Sequence, residues 1–368
     1  MKRILRLGLL LAVLLPTLVF SAGADELLEE QKQSVDVSAL EEAAPDQLEG
    51  VDALGLTGLD GLGDRLLSGV RDQLRDILQS TAKSGGALLL IVLLCSVAEV
   101  FEGFGDGLSR QAVRLAGATG VAMVALSDVS GMMGLGKETV DQLSDFTTIL
   151  MPTMTTAAVA GGAAVSAPVR QAATLLCSNL LTKLVTTLLM PLTWAYAAGS
   201  VGCCAMDDQR LRPLCQLLRW LVMTTLTTTL IVYTGYLSVA GAVTSGTDAT
   251  TIKVAQMTIS GMIPVVGGIL SDATEAVLSG ASILRNSIGL FGMVGVLGFC
   301  LVPFLRLGVQ YLLYKLVAVL AAAMTDHPVS KLIQDLGSVF SMVMGMTGAC
   351  ALVVLLSVMS VISAVVGI

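Results

Sequence analysis

The stretch Gly261-Met-Ile-Pro-Val-Val-Gly-Gly-Ile-Leu-Ser-Asp272 is apolar enough to enter a bilayer, yet it holds a proline and three glycines within eight residues and ends on a carboxylate. Pro264 withholds a backbone donor and clashes with the preceding turn, so a helix must kink or stop there. Gly267 and Gly268 then permit an abrupt change of direction. Such a break is tolerated inside a membrane where the freed amides and carbonyls meet protein or a water-filled cavity. Discontinuous helices of this kind form substrate sites in transporters. Ser271-Asp272 is placed to cap a following helix that begins near Ala273, with Glu275 in its first turn. The stretch reads as a broken membrane helix marked by Pro264, Gly267, Gly268 and Asp272; an ordinary proline-kinked helix followed by a loop is the plainer alternative.

Outward from this stretch the rest of the chain is of the same kind. Its 368 residues are 54% hydrophobic and 13% charged, against roughly a quarter charged in soluble domains. Apolar segments long enough to cross a bilayer recur at Gly85–Phe101, Ala112–Gly134, Phe146–Ala167, Gln171–Gly199, Leu214–Ala242, Val254–Ser271, Asn286–Leu305, Leu307–Met324 and Leu336–Gly367. Each must be helical, because hydrocarbon leaves no partner for an open backbone. The fold class is an all-α polytopic integral membrane protein of about seven to nine spans. The last count stays open because Asn286–Met324, interrupted only around Pro303 and Arg306, can form a tight hairpin.

Ahead of the membrane region stand three shorter segments. Lys2, Arg3 and Arg6 precede an apolar run to Phe20, and Ala22-Gly23-Ala24 follows. This has the form of a cleavable signal peptide over residues 1–24, the alternative being an uncleaved first helix. Residues 25–60 are acidic and poor in aromatics, and read as a mobile extracytoplasmic arm. Fourteen of the 28 acidic residues lie between Asp25 and Asp76, against four Lys or Arg. Residues 61–84 place Leu62, Leu66, Val70, Leu74, Ile77 and Leu78 at helical spacing. They make an amphipathic helix that either lies on the lipid interface or docks a partner. The polytopic membrane domain is then 85–368.

Charge does not settle the topology. With the arm outside, Arg110 and Arg114 fall inside and an acidic Glu138–Asp145 loop falls outside, as the positive-inside tendency asks. Arg170 falls inside next. Arg210 and Arg212 then fall outside, against the tendency.

Two sets of residues inside the apolar segments invite a functional reading. Charges there are costly and so are candidates for function: Glu99, Asp128, Lys183, Arg219 and Lys315. Asp128 and Lys183 lie nearest segment interiors, and either pair with one another or serve transport. Gly289, Gly292, Gly295 and Gly298 repeat every third residue. They form a bare ridge for close helix packing, or a surface for gliding or gating. Thr224–Thr229 (with Leu226 among them) and the earlier Thr153, Thr155 and Thr156 either bond back to their own helix backbone or line a polar passage.

Several function classes are excluded from expectation. GxxxxGK[ST], HExxH and GxSxG are absent, and the one histidine, His327, has no supporting partner. The seven cysteines include no CxxC, so neither a metal centre nor a disulfide framework is expected. The chain is read as a non-enzyme without cofactor. No clustered basic footprint for nucleic acid is present.

The run Ile259-Ser-Gly-Met-Ile-Pro-Val-Val-Gly-Gly268, then Ser271-Asp272-Ala273, then Leu284-Arg285-Asn286-Ser287-Ile288-Gly289 resembles the signature of the stage III sporulation protein AE family. Arg285 stands where a lysine is expected, which keeps the charge. The resemblance covers nearly the whole chain. It implies a membrane subunit of a mother cell–forespore channel, a secretion-like feeding tube needed for endospore formation and late forespore gene expression. The implied partners are ring-forming proteins, a secretion-type ATPase, small membrane subunits of the same complex and, indirectly, a forespore-made protein. The implied location is the mother-cell membrane around the engulfed forespore. A self-contained secondary transporter using Asp128 or Asp272, and a scaffold that conducts nothing, are the alternatives.

Overall fold

The computed structural model describes residues 37–45, 48, 53, 62–102, 107–206, 211–262, 267–324 and 327–363. The helices are α1 (Ser38–Glu42), α2 (Leu62–Glu102), α3 (Gly107–Ala160), α4 (Ser166–Leu184), α5 (Met190–Met206), α6 (Arg212–Met262), α7 (Gly267–Met324) and α8 (His327–Ile362). One π-helical turn, Val185–Leu189, joins α4 to α5. Pro191 explains it: the ring has no N–H for the carbonyl of Thr187, and a widened turn absorbs the missing bond. The segment read as a signal peptide, 1–24, lies outside the described residues.

Among the described residues, six helices are long and apolar enough to span a membrane, α4 and α5 counting as one. This count does not confirm the seven to nine expected: two pairs of expected spans are single helices, and the expected span Val254–Ser271 falls outside the residues it covers. The expected Glu138–Asp145 loop is helical, inside the 54 residues of α3. Lys, Glu and Gln are good helix formers, so a polar interval alone stops nothing. The expected hairpin at Pro303 is likewise absent, and α7 carries that proline inside 58 continuous residues. At 1.5 Å per residue, α7 is about 87 Å long, nearly three times a hydrocarbon core.

The real stop after α3 is Gly161-Gly162. Gly162 has φ 94°, its N–H donates to the carbonyl of Val159, and the N–H of Ala163 donates to that of Ala158. This is a Schellman cap, in which a glycine takes the left-handed position and satisfies two orphan carbonyls.

Two further expectations are corrected. α7 begins at Gly267, so Ser271 and Asp272 sit in its second turn rather than capping a helix that starts near Ala273. Gly267 and Gly268, read as the site of a change of direction, are instead the first two residues of that helix. α6 ends at Met262, on the other side of Pro264, which lies outside the described residues. The acidic arm is also not free throughout: Leu40, Leu48 and Ala53 are buried, α1 packs on α3, and Ala53 N–H donates to Glu41 Oε1 at 3.0 Å.

The six long helices alternate in direction. Ser96 Oγ donates to the Met324 carbonyl at 2.7 Å, and Gly117 faces Cys95 and Val329; these contacts gather one end. Gly289 faces Ile362 and Met154, and Arg170 Nη1 donates to the Ser360 carbonyl and, at 2.8 Å, to its Oγ; these gather the other. Because α3 crosses once and not twice, Arg212, Arg219 and Lys331 fall at the same end as the start of α3, which carries Arg110 and Arg114. Arg212 thus joins Arg110 and Arg114, and the mismatch moves to Arg170, which lies at the other end beside Ser360. The positive-inside tendency points to this as the cytoplasmic end. α8 is the most enclosed of the six, and its Phe340 stacks edge-on against Tyr314 at 4.8 Å.

Candidate functional site

Asp128 is the most heavily bonded carboxylate within the apolar helices among the described residues. Ser84 Oγ on α2 donates to its Oδ1 at 2.9 Å. Gln310 Nε2 and Tyr314 OH on α7 both donate to its Oδ2 at 2.8 Å. Gln310 and Tyr314 lie one helical turn apart, so both reach the same oxygen. Three donors of this quality keep a carboxylate solvated by protein in place of water. The group borders a cavity of about 300 Å³ lined also by Ser80, Thr81, Ser127 and Arg306. The arrangement can hold a charge and water at a half-buried position between α2, α3 and α7.

Lys183 is not its partner. It is exposed on α4 and joins Asp128 in no ion pair. The expected pairing fails because the two side chains point to different surroundings, Asp128 toward α2 and α7. Sequence reading missed Ser84, Gln310, Tyr314 and Arg306. The signal was there: Gln310 and Tyr314 are a polar i, i+4 pair within an apolar segment.

From Asp128 a polar lane continues along the outside of α3. Ser127, Ser130, Lys137, Glu138, Gln142, Asp145, Thr148 and Thr156 are exposed, with Asp141 half-buried between them. Their spacing follows one helix face. Gly131 and Gly134 lie on the same face with open space beside them. The lane is about 45 Å long, more than a hydrocarbon thickness.

The glycine ridge does something different. A Cβ on Gly289 would lie 2.5 Å from Ile362, one on Gly292 2.7 Å from Leu150, and one on Gly295 2.7 Å from Phe146. Gly298 is buried on the same helix. Phe146, Leu150 and Met154, spaced one turn apart on α3, therefore press directly onto the α7 backbone. This is dry packing without a side-chain layer between helices.

The remaining candidates divide. Thr227 and Thr229 donate to the carbonyls of Met223 and Thr225, and Thr153, Thr155 and Thr156 to those of Ile149, Met151 and Pro152. Lys315 is exposed and lies over the Tyr311 ring at 5.7 Å. Arg285 of the family-like signature is 1% exposed, held by Ser282 Oγ at 3.3 Å. The side chains of the Gly267–Asp272 motif lie outside the described residues.

Comparison with known proteins agrees with the motif. A curated Bacillus subtilis (strain 168) protein, "Stage III sporulation protein AE", is 25% identical over 248 residues, 66% of this chain and 61% of that protein. The aligned region thus spans less than two thirds of the relative's length. No solved structure matches the chain. The family profile described as stage III sporulation protein AE matches residues 63–365, from the start of α2 to beyond the end of α8, so the chain belongs to the stage III sporulation protein AE family.

Proposed function

We propose that the protein is a non-enzymatic membrane subunit of the mother cell–forespore channel, resident in the mother-cell membrane that surrounds the forespore. Its family is one of sporulation proteins, its matched relative bears a stage III sporulation name, and its long apolar helices make it a membrane protein. One observation carries the channel reading beyond these: the polar lane on the outer face of α3. Exposed Lys137, Glu138 and Asp145 would each cost roughly 2.5–3.5 kcal/mol against lipid at mid-bilayer. Such a lane belongs against water or against other subunits. A conduit shared among several chains supplies both.

The test is a photo-crosslinking amino acid at Glu138, with another at Leu176 on the apolar exterior of α4 as control. Tagged protein is purified from sporulating cells in mild detergent. Ring-forming proteins or small membrane subunits crosslinked from Glu138 and not from Leu176 are the expected outcome. A chain that comes out uncrosslinked and alone would sink the proposal.

A self-contained ion-coupled transporter is favoured by one observation, the three-donor Asp128 beside a cavity of about 300 Å³. It requires ion-gradient-dependent uptake by liposomes holding this chain alone, abolished by Asp128→Asn. A non-conducting scaffold would instead tolerate that change and depend on the Leu62–Leu78 helix.

A further inference from the structure

A line of two cavities runs along α6, the first walled by α5 and α8 and the second by α4, and it changes character along its length. At the cytoplasmic end it is a polar cavity of about 120 Å³. Arg212, Arg219 and Lys331 line it, with Asp335 as its one carboxylate. Asp335 lies within electrostatic reach of all three cations and accepts from Tyr196 OH at 3.4 Å. None of the three cations makes a hydrogen bond or ion pair among the described residues. Two long helices, α6 and α8, also begin here, which brings their positive dipole ends to the same end of the bundle. Three cations against one carboxylate leave a net positive cavity built for an anion.

One helical turn further on, the groove becomes apolar. Gln216 and Trp220 are successive positions on one face of α6: the first lines the basic cavity, the second opens a groove of about 850 Å³. Leu176 and Leu180 from α4 and Val232 and Tyr236 from α6 form its walls. Thr225 and Thr229 also line it, and the Thr229 hydroxyl is turned back to its own helix carbonyl. From Trp220 to Tyr236 the apolar part extends about 24 Å, beyond the roughly 15 Å of one leaflet's hydrocarbon.

We propose that this groove is a binding site for an anionic phospholipid of the cytoplasmic leaflet. The phosphate sits among Arg212, Arg219 and Lys331, and the acyl chains lie along Leu176, Leu180 and Val232. Basic pockets between membrane helices on the cytoplasmic side suit anionic headgroups. The succession of the two cavities along α6, one helical turn apart at Gln216 and Trp220, is what selects a lipid over a free anion. A phosphate ion uses only the first, and an uncharged apolar ligand only the second. The site is separate from the α3 lane, so it stands whether or not the channel reading does.

The full chain in mild detergent is titrated with palmitoyl-oleoyl phosphatidylglycerol, with the matched phosphatidylcholine and with inorganic phosphate, and retained lipid is counted by native mass spectrometry. Phosphatidylglycerol should be retained about tenfold more tightly than phosphatidylcholine or better. The triple variant R212Q/R219Q/K331Q should remove that preference. Thr225→Trp, which fills the apolar part and leaves the cations, should lower retention of both lipids, while Arg219→Lys should keep the preference. Thermal unfolding of each variant separates lost binding from lost folding. Equal retention of the two lipids by the unaltered chain overturns the proposal. So does full displacement of phosphatidylglycerol by inorganic phosphate, which would make the cavity a free-anion site.

Discussion

The two faces of α3 make opposite bargains with their surroundings. One face sends Phe146, Leu150 and Met154 into bare backbone at Gly295, Gly292 and Gly289, with no space left for a single added carbon. The other carries Lys137, Glu138, Gln142 and Asp145 outward beside glycines with nothing near them. One helix thus separates a region whose identity is set by shape from a region whose identity is set by charge. Substitutions on the first should change stability. Those on the second should change function with the fold intact.

The sharpest way to break this contrast is Gly292→Leu. Its Cβ alone would meet Leu150 at 2.7 Å, and the larger side chain should cost about 3 kcal/mol or more, seen as lost folded yield and a lowered unfolding temperature in detergent. Adding Leu150→Ala should return part of that loss. A Gly292→Leu protein as stable as the parent would show that the ridge is not closely packed.

Asp128 stands between the two regions. Asp128→Leu should destabilise by roughly 2–4 kcal/mol, because Ser84, Gln310 and Tyr314 each lose an acceptor. Tyr314→Phe should cost about 1 kcal/mol, since only one donor goes. Calorimetry or denaturant unfolding in detergent orders the three proteins. The exchange Asp128→Lys with Lys183→Asp should be no better than Asp128→Lys alone; rescue would restore the ion pair that the structure lacks.

The smallest expected change in stability is on the lane. Glu138→Gln with Asp145→Asn should shift unfolding by under about 0.5 kcal/mol, while heat-resistant spore counts fall sharply. Normal spore counts would remove the lane from the mechanism. A large loss of stability would place it in the core and dissolve the comparison.

Particular residues show where the sequence sufficed. Gly289, Gly292 and Gly295 mark a bare ridge in the sequence, which leaves packing and gliding both open; the closeness of Ile362, Leu150 and Phe146 supports packing. Asp128 announced itself as a charge in an apolar segment. The stop at Gly161-Gly162 is equally legible in its paired glycines, while the polarity of Glu138–Asp145 suggests a loop where the helix continues. Polarity reports which surroundings a side chain prefers. Helix termination depends on whether the backbone ladder continues, and those are separate questions.

The sequence by itself determined an all-helical membrane protein, the family to which it belongs, the bare ridge and the cost of a carboxylate at position 128. These follow from local chemistry: backbone groups that hydrocarbon will not solvate, side chains absent or present at fixed spacing. Only the tertiary structure decided how many times the chain alternates, which end collects Arg212, Arg219 and Lys331, and which groups satisfy Asp128. Its donors come from residues 44, 182 and 186 positions away. No periodicity or spacing within a single helix contains that information, because it is created when six long helices settle against one another.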